Sequence, residues 1–166
     1  MRGRTFGFAI ALIVFAADQL TKWIVAGPLQ LQAVRQIEIL PIFRLSWTEN
    51  KGISLGLLNA ETEIGRWMLV AVTGAIAIGV AFWIGREKQR GDQLALGMVL
   101  GGALGNILDR IRFGYVVDFA DLHFGDFRPF LVFNVADAAI SIGVVILLLR
   151  AFMTRNERPK ENIEHA

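Results

Sequence analysis

Four long apolar stretches constrain this chain more than any other feature of its sequence. Hydrophobic residues make up 54% of the 166 residues and concentrate in four windows. The windows cover residues 6–26, 67–85, 93–111 and 130–151. About 20 helical residues, at ~1.5 Å each, span the ~30 Å hydrocarbon core of a bilayer. The sequence therefore predicts an all-α integral membrane protein with four transmembrane helices in a single membrane domain, residues 1–166.

The first window follows Arg2 and Arg4, a pattern that is shared with cleavable signal peptides. Its apolar run is longer than a typical signal-peptide core, contains Asp18 and Lys22, and ends without a clear small-x-small cleavage pattern. We therefore expect the first window to persist as a helix.

Basic residues are distributed unevenly among the connecting segments. They precede the first window, crowd the connection between the second and third, and follow the fourth, and they are Arg2, Arg4, Arg86, Lys88, Arg90, Arg150, Arg155, Arg158 and Lys160. The positive-inside rule places these segments, including the tail 152–166, in the cytoplasm. The insert 27–65 and the connection 112–129 then face outward. The net charge of +2 is too small to indicate nucleic acid binding.

The insert 27–65 is long for a loop and contains two runs with near alternation of apolar and polar residues, 37–40 and 43–48. Such alternation predicts short strands, and backbone groups near lipid must be paired. We expect a small β-sheet at the outer membrane surface that could hold an extended peptide by strand addition. A simple connecting hairpin is the alternative.

Glycines recur every four residues in the third window, at Gly97, Gly101 and Gly105. Small residues at this spacing let helix backbones approach closely in a bilayer. The pattern indicates helix packing rather than catalysis.

Two aspartates occupy positions where an apolar chain should not carry charge. Asp118 lies just before the fourth window, and Asp137 lies inside it, about two helical turns deep. An ionisable group at membrane depth marks a functional site by default. Other polar residues are expected near the same outer end of the helices, and they are Asp18, Lys22, Asn106, Asp109, Arg110 and Asn134.

Two carboxylates that lie close together cannot both ionise cheaply, so they share a proton. One can then activate a water while the other, protonated, polarises a carbonyl, as in aspartic proteases. We expect Asp137, the deeper of the two, to hold the proton. The chain has no cysteine, which excludes a Cys nucleophile, and His123 and His165 are isolated, so we expect no metal and no cofactor.

Two other classes of function stay open at this point. A proton-coupled transporter could use the same charged residues as a relay, although a relay should span the bilayer. A non-catalytic assembly subunit could use the glycine face alone. Three further titratable residues after Asp118 are assigned to a solvated loop, and they are Asp121, His123 and Asp126.

Five polar segments together resemble the motifs of bacterial lipoprotein signal peptidase (signal peptidase II) in order and spacing. They are Asp18-Gln19-Leu20-Thr21-Lys22, the run from Thr48-Glu49-Asn50 through Gly52 to Gly56, the run from Gly101 through Asn106 to Asp109-Arg110, Gly114-Tyr115-Val116-Val117-Asp118-Phe119, and Phe133-Asn134-Val135-Ala136-Asp137. The resemblance departs at Leu55, where an aromatic residue is common, and at Ala138, which replaces a frequent Ser.

The resemblance implies a monomeric, multi-pass aspartyl endopeptidase of the bacterial inner membrane, with its active site near the periplasmic interface. It implies cleavage of prolipoproteins on the amino side of a diacylglyceryl-modified cysteine, with Asp118 and Asp137 as the catalytic pair. The other residues that match its motifs would bind substrate or support the site, and they are Asn50, Gly52, Asn106, Arg110, Asn134, Asp18, Lys22 and Asp109. The implied partners are these substrates and the lipid bilayer, not nucleic acid.

Overall fold

A computed structural model describes residues 4–52, 62–125 and 127–156 of the chain. Its elements, in chain order, are α1 (Arg4–Ala26), α2 (Leu31–Val34), β1 (Gln36–Leu40), β2 (Phe43–Asn50), α3 (Glu63–Arg86), α4 (Arg90–Phe113), β3 (Val116–Leu122) and α5 (Val135–Asn156). The helices α1, α3, α4 and α5 are each long and apolar enough to cross a membrane. The prediction of a four-helix membrane protein with a small sheet is confirmed.

The central helix is α4, which packs against α1, α3 and α5. Its glycines explain how the helices come so close. A Cβ atom at Gly97 or Gly101 would collide with the backbone of α1, and one at Gly102 would collide with the carbonyl oxygen of Ala136 in α5. The absence of a side chain at Gly105 leaves room for the carboxylate of Asp18. The glycine face therefore packs helices, as the spacing predicts.

The sheet is antiparallel with the strand order β1-β2-β3. Strands β1 and β2 confirm the two strands predicted in the insert. Strand β3, which carries Asp118, comes from the segment between α4 and α5. Asp118 therefore lies in a strand of the sheet, and the prediction that the segment before the fourth helix is only a connecting loop is wrong. All but the last residue of β3 are buried, and a strand covered on both faces lacks the alternation by which strands are recognised.

All four long helices begin at residues other than those predicted, and the starts of α3 and α5 differ most. Helix α3 begins at Glu63 instead of residue 67, because the Thr62 hydroxyl accepts a hydrogen bond from the Gly65 N–H (3.1 Å) and caps the helix. Helix α5 begins at Val135 instead of residue 130, directly after Asn134. Asp137 is consequently the third residue of α5, in its first turn and not two turns deep. The predicted tail is helical as far as Asn156, and its remainder lies outside the described residues.

A small cluster of buried apolar residues packs the sheet against the end of α1 and against α2. Val25 at the end of α1, Leu31 in α2, and Phe119 and Ala120 in β3 are buried against one another. The outer edge of β3 is also tied to the segment before α5, because Ala120 and Phe133 exchange two backbone hydrogen bonds (2.8 and 3.0 Å). These contacts fix Asp118 beside the start of α5.

Candidate active site

The two predicted carboxylates meet at Asn134. The Asn134 Nδ2 donates to Asp118 Oδ1 at 2.6 Å, while its backbone N–H donates to Asp137 Oδ2 at 3.3 Å. Its Oδ1 in turn accepts a hydrogen bond from the Asp137 backbone N–H at 2.8 Å. One residue thus contacts both members of the pair.

The contacts between Asn134 and Asp137 form a reciprocal cap at the start of α5. Each side chain accepts a hydrogen bond from the other residue's backbone N–H, which satisfies two donors that a helix leaves free at its N-terminus. The helix N-terminus also carries partial positive charge, which favours a carboxylate in the first turn. The fold therefore fixes the position of Asp137 through the helix end itself.

Two further asparagines, from distant parts of the chain, complete the polar shell. Asn106 in α4 donates from Nδ2 to Asp137 Oδ1 at 2.8 Å. Asn50, the last residue of β2, donates from Nδ2 to Asp118 Oδ2 at 3.0 Å. The Oδ1 of Asn50 accepts the Gly52 N–H at 2.9 Å, and Gly52 has a φ of 100°, a conformation that favours glycine. Asn50, Gly52 and Asn106 therefore lie at the pair, as the resemblance implies.

A buried ion cluster lies behind the asparagines. Lys22 Nζ contacts Asp18 Oδ2 at 2.9 Å, Asp109 Oδ2 at 2.8 Å and Asn106 Oδ1 at 3.2 Å. All four side chains are buried. The pairing of Asp18 with Lys22 along α1 was foreseeable from their spacing, whereas the bridge from Lys22 to Asp109 in α4 was not.

The two acids of this cluster hold the backbone next to each carboxylate of the pair. Asp18 Oδ1 accepts the N–H of Ala136, which precedes Asp137, at 3.0 Å. Asp109 Oδ2 accepts the N–H of Val117, which precedes Asp118, at 3.1 Å. Sequence reasoning missed this arrangement because acceptance of a distant backbone N–H leaves no mark in local spacing. Asp18, Lys22 and Asp109 position the pair without touching it.

The two carboxyl groups differ in burial, and Asp118 rather than Asp137 is the more buried, which is the reverse of the expectation from sequence. Asp118 is 1% exposed, whereas Asp137 is only partly buried. Burial, with the nearby charge of Asp137, raises the pKa of Asp118 to about 7 against the opposing effects of Asn50, Asn134 and Lys22. The expectation that Asp137 is the more deeply placed of the two is therefore wrong, because β3 encloses Asp118 more completely than the first turn of α5 encloses Asp137.

Arg110 supplies positive charge near the pair. It lies in the last turn of α4, donates to the Asn106 carbonyl at 3.3 Å, and interacts electrostatically with Asp118 and Asp137. A guanidinium at this position offsets part of the negative charge of the cluster.

The assignment of Asp121 and His123 to a solvated loop is wrong, since both are buried. Asp121 Oδ2 accepts hydrogen bonds from Arg44 Nε (2.8 Å) and Ser46 Oγ (2.9 Å) of β2. Burial alone would raise the pKa of Asp121, but these two hydrogen bonds and the charge of Arg128 hold it below its ordinary value. Asp121 braces β3 against β2 across the sheet. Asp126 lies outside the described residues.

The buried charges argue against a transmembrane relay. Among the residues that the structure describes, the buried charged side chains all lie on the sheet or at the helix ends next to it, and at the opposite end the buried polar side chain is the neutral Gln93. A carboxyl pair confined to one end, whose two members can share a proton, can instead carry out general acid–base chemistry on a water.

A cavity of about 250 Å³ opens beside Asp137. It is bordered by side chains of α5 and of the segment before it, which are Phe130, Leu131, Phe133, Ala138, Ser141 and Ile142. Apolar residues dominate this wall, so an extended ligand with apolar groups could lie against it next to the carboxylate.

Comparisons with known proteins complete the description. A family model described as signal peptidase (SPase) II matches residues 10–153. The lipoprotein signal peptidase of Sphingopyxis alaskensis is 59% identical over 148 residues, which cover 89% of this chain and 86% of that protein. That of Rhizorhabdus wittichii is 55% identical over 162 residues, which cover 97% and 94%. A solved structure titled "Bacterial membrane enzyme structure by the in meso method at 2.3 A resolution" is similar, with a TM-score of 0.76, 29% identity and 93% coverage of both chains.

Proposed function

The chain belongs to the signal peptidase II family of aspartic endopeptidases, and on this premise we propose that Asp118 and Asp137 are the catalytic pair with which it removes signal peptides from prolipoproteins. The observation that carries the assignment is the double contact of Asn134, whose side chain donates to Asp118 while its backbone donates to Asp137. Because one residue contacts both carboxyl groups, they lie close enough for their titrations to be coupled, which proton sharing requires.

The surroundings of the two carboxyl groups assign their roles. Asp137 is the less buried carboxyl group and lies at the positive end of α5, so we assign it the role of the base. Asp118, with its pKa raised to about 7 by burial, carries the proton. Two groups whose environments differ in this way divide the acid and base roles between them.

The reaction follows from these roles. Asp137 takes a proton from a water molecule, and the water oxygen forms a bond to the scissile carbonyl carbon as Asp118 gives its proton to the carbonyl oxygen. The tetrahedral intermediate then collapses: its hydroxyl returns a proton to Asp118, the C–N bond breaks, and the leaving amine takes the proton held by Asp137. Both carboxyl groups end in their starting states.

We also propose the finer substrate and location. The substrates carry a diacylglyceryl group on the cysteine that follows the scissile bond, because the wall beside Asp137 is apolar and belongs to a membrane-spanning helix. The chain works as a monomer in the bacterial inner membrane, with both termini in the cytoplasm and the pair at the periplasmic end. The excess of basic residues at the opposite end of the helices supports this orientation.

The proposed catalytic pair is tested by cleavage of a diacylglyceryl-modified prolipoprotein by purified protein in detergent. The Asp118→Asn and Asp137→Asn variants should each lose at least ~10³-fold in rate, because each removes one partner of the proton transfer. Glu63→Gln is the matched control, since the Glu63 side chain is 84% exposed and lies outside the site.

Each outcome is informative. Cleavage that persists in a folded Asp118→Asn or Asp137→Asn variant would remove that residue from the pair. If the wild-type protein did not cleave the substrate at all, proton flux into liposomes would be the next measurement.

Orientation has its own test, which the absence of cysteine makes simple. A cysteine introduced at Gln36 should react with a membrane-impermeant maleimide in spheroplasts, whereas one at Lys88 should react only after permeabilisation. The reverse pattern would overturn the proposed orientation.

A further inference from the structure

A group of exposed apolar side chains lies at the end of the sheet away from α4. It combines the turn between β1 and β2 with the segment between β3 and α5, and we call it the apolar tip: Leu40, Ile42, Phe124, Phe127, Phe130 and Leu131. Their exposed fractions range from 44% at Ile42 to 91% at Leu131.

The two parts of the apolar tip form one surface because the sheet joins them. The His123 N–H donates to the Ile42 carbonyl at 3.0 Å, and Phe43 pairs with Leu122 at the end of the ladder. Beyond this point Phe124 and Phe127 exchange backbone hydrogen bonds of 2.8 and 3.2 Å, and both rings are exposed. Hydrogen bonds at the end of the sheet therefore hold the two parts of the apolar tip together.

An exposed apolar surface of this kind marks a contact with a protein, a ligand or a membrane. Its place in the fold favours the membrane. Leu131 lies four residues before the first residue of α5, so the extended chain between them can span no more than about 14 Å. Phe130 and Leu131 also border the same cavity as Ala138 and Ile142 of α5, a helix with the length and composition of a membrane span.

The charge beside the apolar tip fits a phospholipid surface. Arg128 lies between Phe127 and Phe130; it pairs with Asp121 Oδ2 at 3.9 Å, and half of its side chain (51%) remains exposed. A long basic side chain next to apolar residues can reach phosphate groups while its neighbours enter the acyl region.

We infer that the apolar tip inserts into the outer leaflet of the bilayer that the helices span, and so holds the far end of the sheet at a fixed depth. The near end of the sheet is already fixed by Val25 and Leu31 beneath β3. The strand that carries Asp118 is thus supported at both ends. The inference concerns the lipid surface itself and stands independently of the proposed catalytic roles.

Single-cysteine variants of the full chain provide the test, because the chain has no cysteine of its own. Phe127→Cys and Leu131→Cys would carry a nitroxide label in vesicles of phosphatidylethanolamine and phosphatidylglycerol. The probes are collision with oxygen, which concentrates in lipid, and collision with a water-soluble nickel complex. Leu148→Cys, on the exposed face of α5, calibrates the lipid signal, and Gln36→Cys, at the exposed start of β1, calibrates the aqueous signal.

We expect both tip labels to favour oxygen over nickel, as the label at Leu148 does. Nickel collisions as frequent as those at Gln36 would overturn the inference. Dipolar broadening between labels on different molecules would overturn it in favour of a second copy of the chain. Protection that arises only when a substrate peptide is added would overturn it in favour of peptide docking.

Discussion

Asn134 connects the geometry of a helix end to the chemistry of the site. Its Oδ1 caps α5 and its Nδ2 donates to Asp118, so the two functions reside on different atoms of one side chain. This division makes it possible to separate the structural and catalytic contributions of Asn134 by substitution.

Asn134→Ser should retain the cap and lose the donor to Asp118, whereas Asn134→Ala should lose both. Both variants lose the hydrogen bonds of the buried Nδ2 and should be less stable than wild type, but the Ser variant keeps the cap, so we expect its free energy of unfolding to exceed that of the Ala variant by about 1 kcal/mol. We expect kcat to fall roughly 10-fold or more in both. Unfolding curves and cleavage rates of the purified variants check this. Wild-type kcat in Asn134→Ser would show that the bond to Asp118 has no catalytic role.

The pH dependence of cleavage follows from the protonation of Asp118. Its folded-state pKa is raised to about 7, so the protonated, active form is fully present well below pH 7 and is lost as pH rises through that value. We expect kcat/KM to fall about tenfold per pH unit on the alkaline side. Rates between pH 5 and pH 9 with a non-titrating substrate check this, and a flat profile up to pH 9 would contradict the assignment of Asp118 as the acid.

The carboxyl pair itself was predictable from sequence, because an aspartate in an apolar segment is rare enough to indicate function. The position of Asp137 relative to its helix was not predicted correctly. Apart from Asn134, the residues from Phe130 to Ala136 are all apolar, so hydrophobicity gave little sign that α5 begins at Val135. The spacing of Asn134 and Asp137, a capping residue followed three positions later by an acid, was the signal that could have located the helix start.

At the scale of elements, α4 is the helix against which the others are arranged. The backbone of α1 packs directly against Gly97 and Gly101, and the backbone of α5 at Ala136 packs directly against Gly102. Because Ala136 precedes Asp137, the packing of these two helices also sets the position of a carboxylate.

Gly102→Ala should therefore affect stability and activity together. The new methyl group would collide with the Ala136 carbonyl, so we expect the free energy of unfolding to fall by about 1–3 kcal/mol and the cleavage rate to fall as well. Gly79→Ala in α3 is the matched control, since a Cβ there meets nothing within 4 Å. Equal thermal stability of the two variants would contradict the proposed role of the α4–α5 contact.

The four helices and the first two strands could be predicted because each has its own periodicity or composition. Strand β3 could not be predicted, because both of its faces are covered: the successive residues Val116 and Val117, and Phe119 and Ala120, are all buried. Its two edges pair with β2 and with Phe133. Its burial depends on elements far away in sequence, so the local pattern resembled an ordinary connection.

At the scale of the whole molecule, one lysine joins the parts that hold the pair. Lys22 in α1 binds Asp18 and Asp109, and these acids hold the backbone of α5 at Ala136 and of β3 at Val117. The ion cluster thus links four elements, α1, α4, β3 and α5, and adds to the hydrogen bonds that Asn106 and Asn134 make to the pair.

Lys22→Met should leave two buried carboxylates without their cation and destabilise the protein by about 3–5 kcal/mol. Lys88→Met, at an exposed position, is the control. Thermal unfolding of both variants checks the prediction, and similar unfolding temperatures would show that Lys22 does not hold the molecule together. The size of this destabilisation could not be predicted from sequence, because the spacing of Asp18 and Lys22 indicates only an ion pair within α1 and gives no sign of the bridge to Asp109.

The order in which the chain is synthesised gives the placement of Asp137 on the last helix a further meaning. A nascent chain that has emerged as far as β3 already contains Asp118, Asn50 and Asn106, but it lacks both Asn134 and Asp137. With Asp118 and Asp137 as the proposed catalytic pair, proteolytic capacity arises only after the final helix has been synthesised.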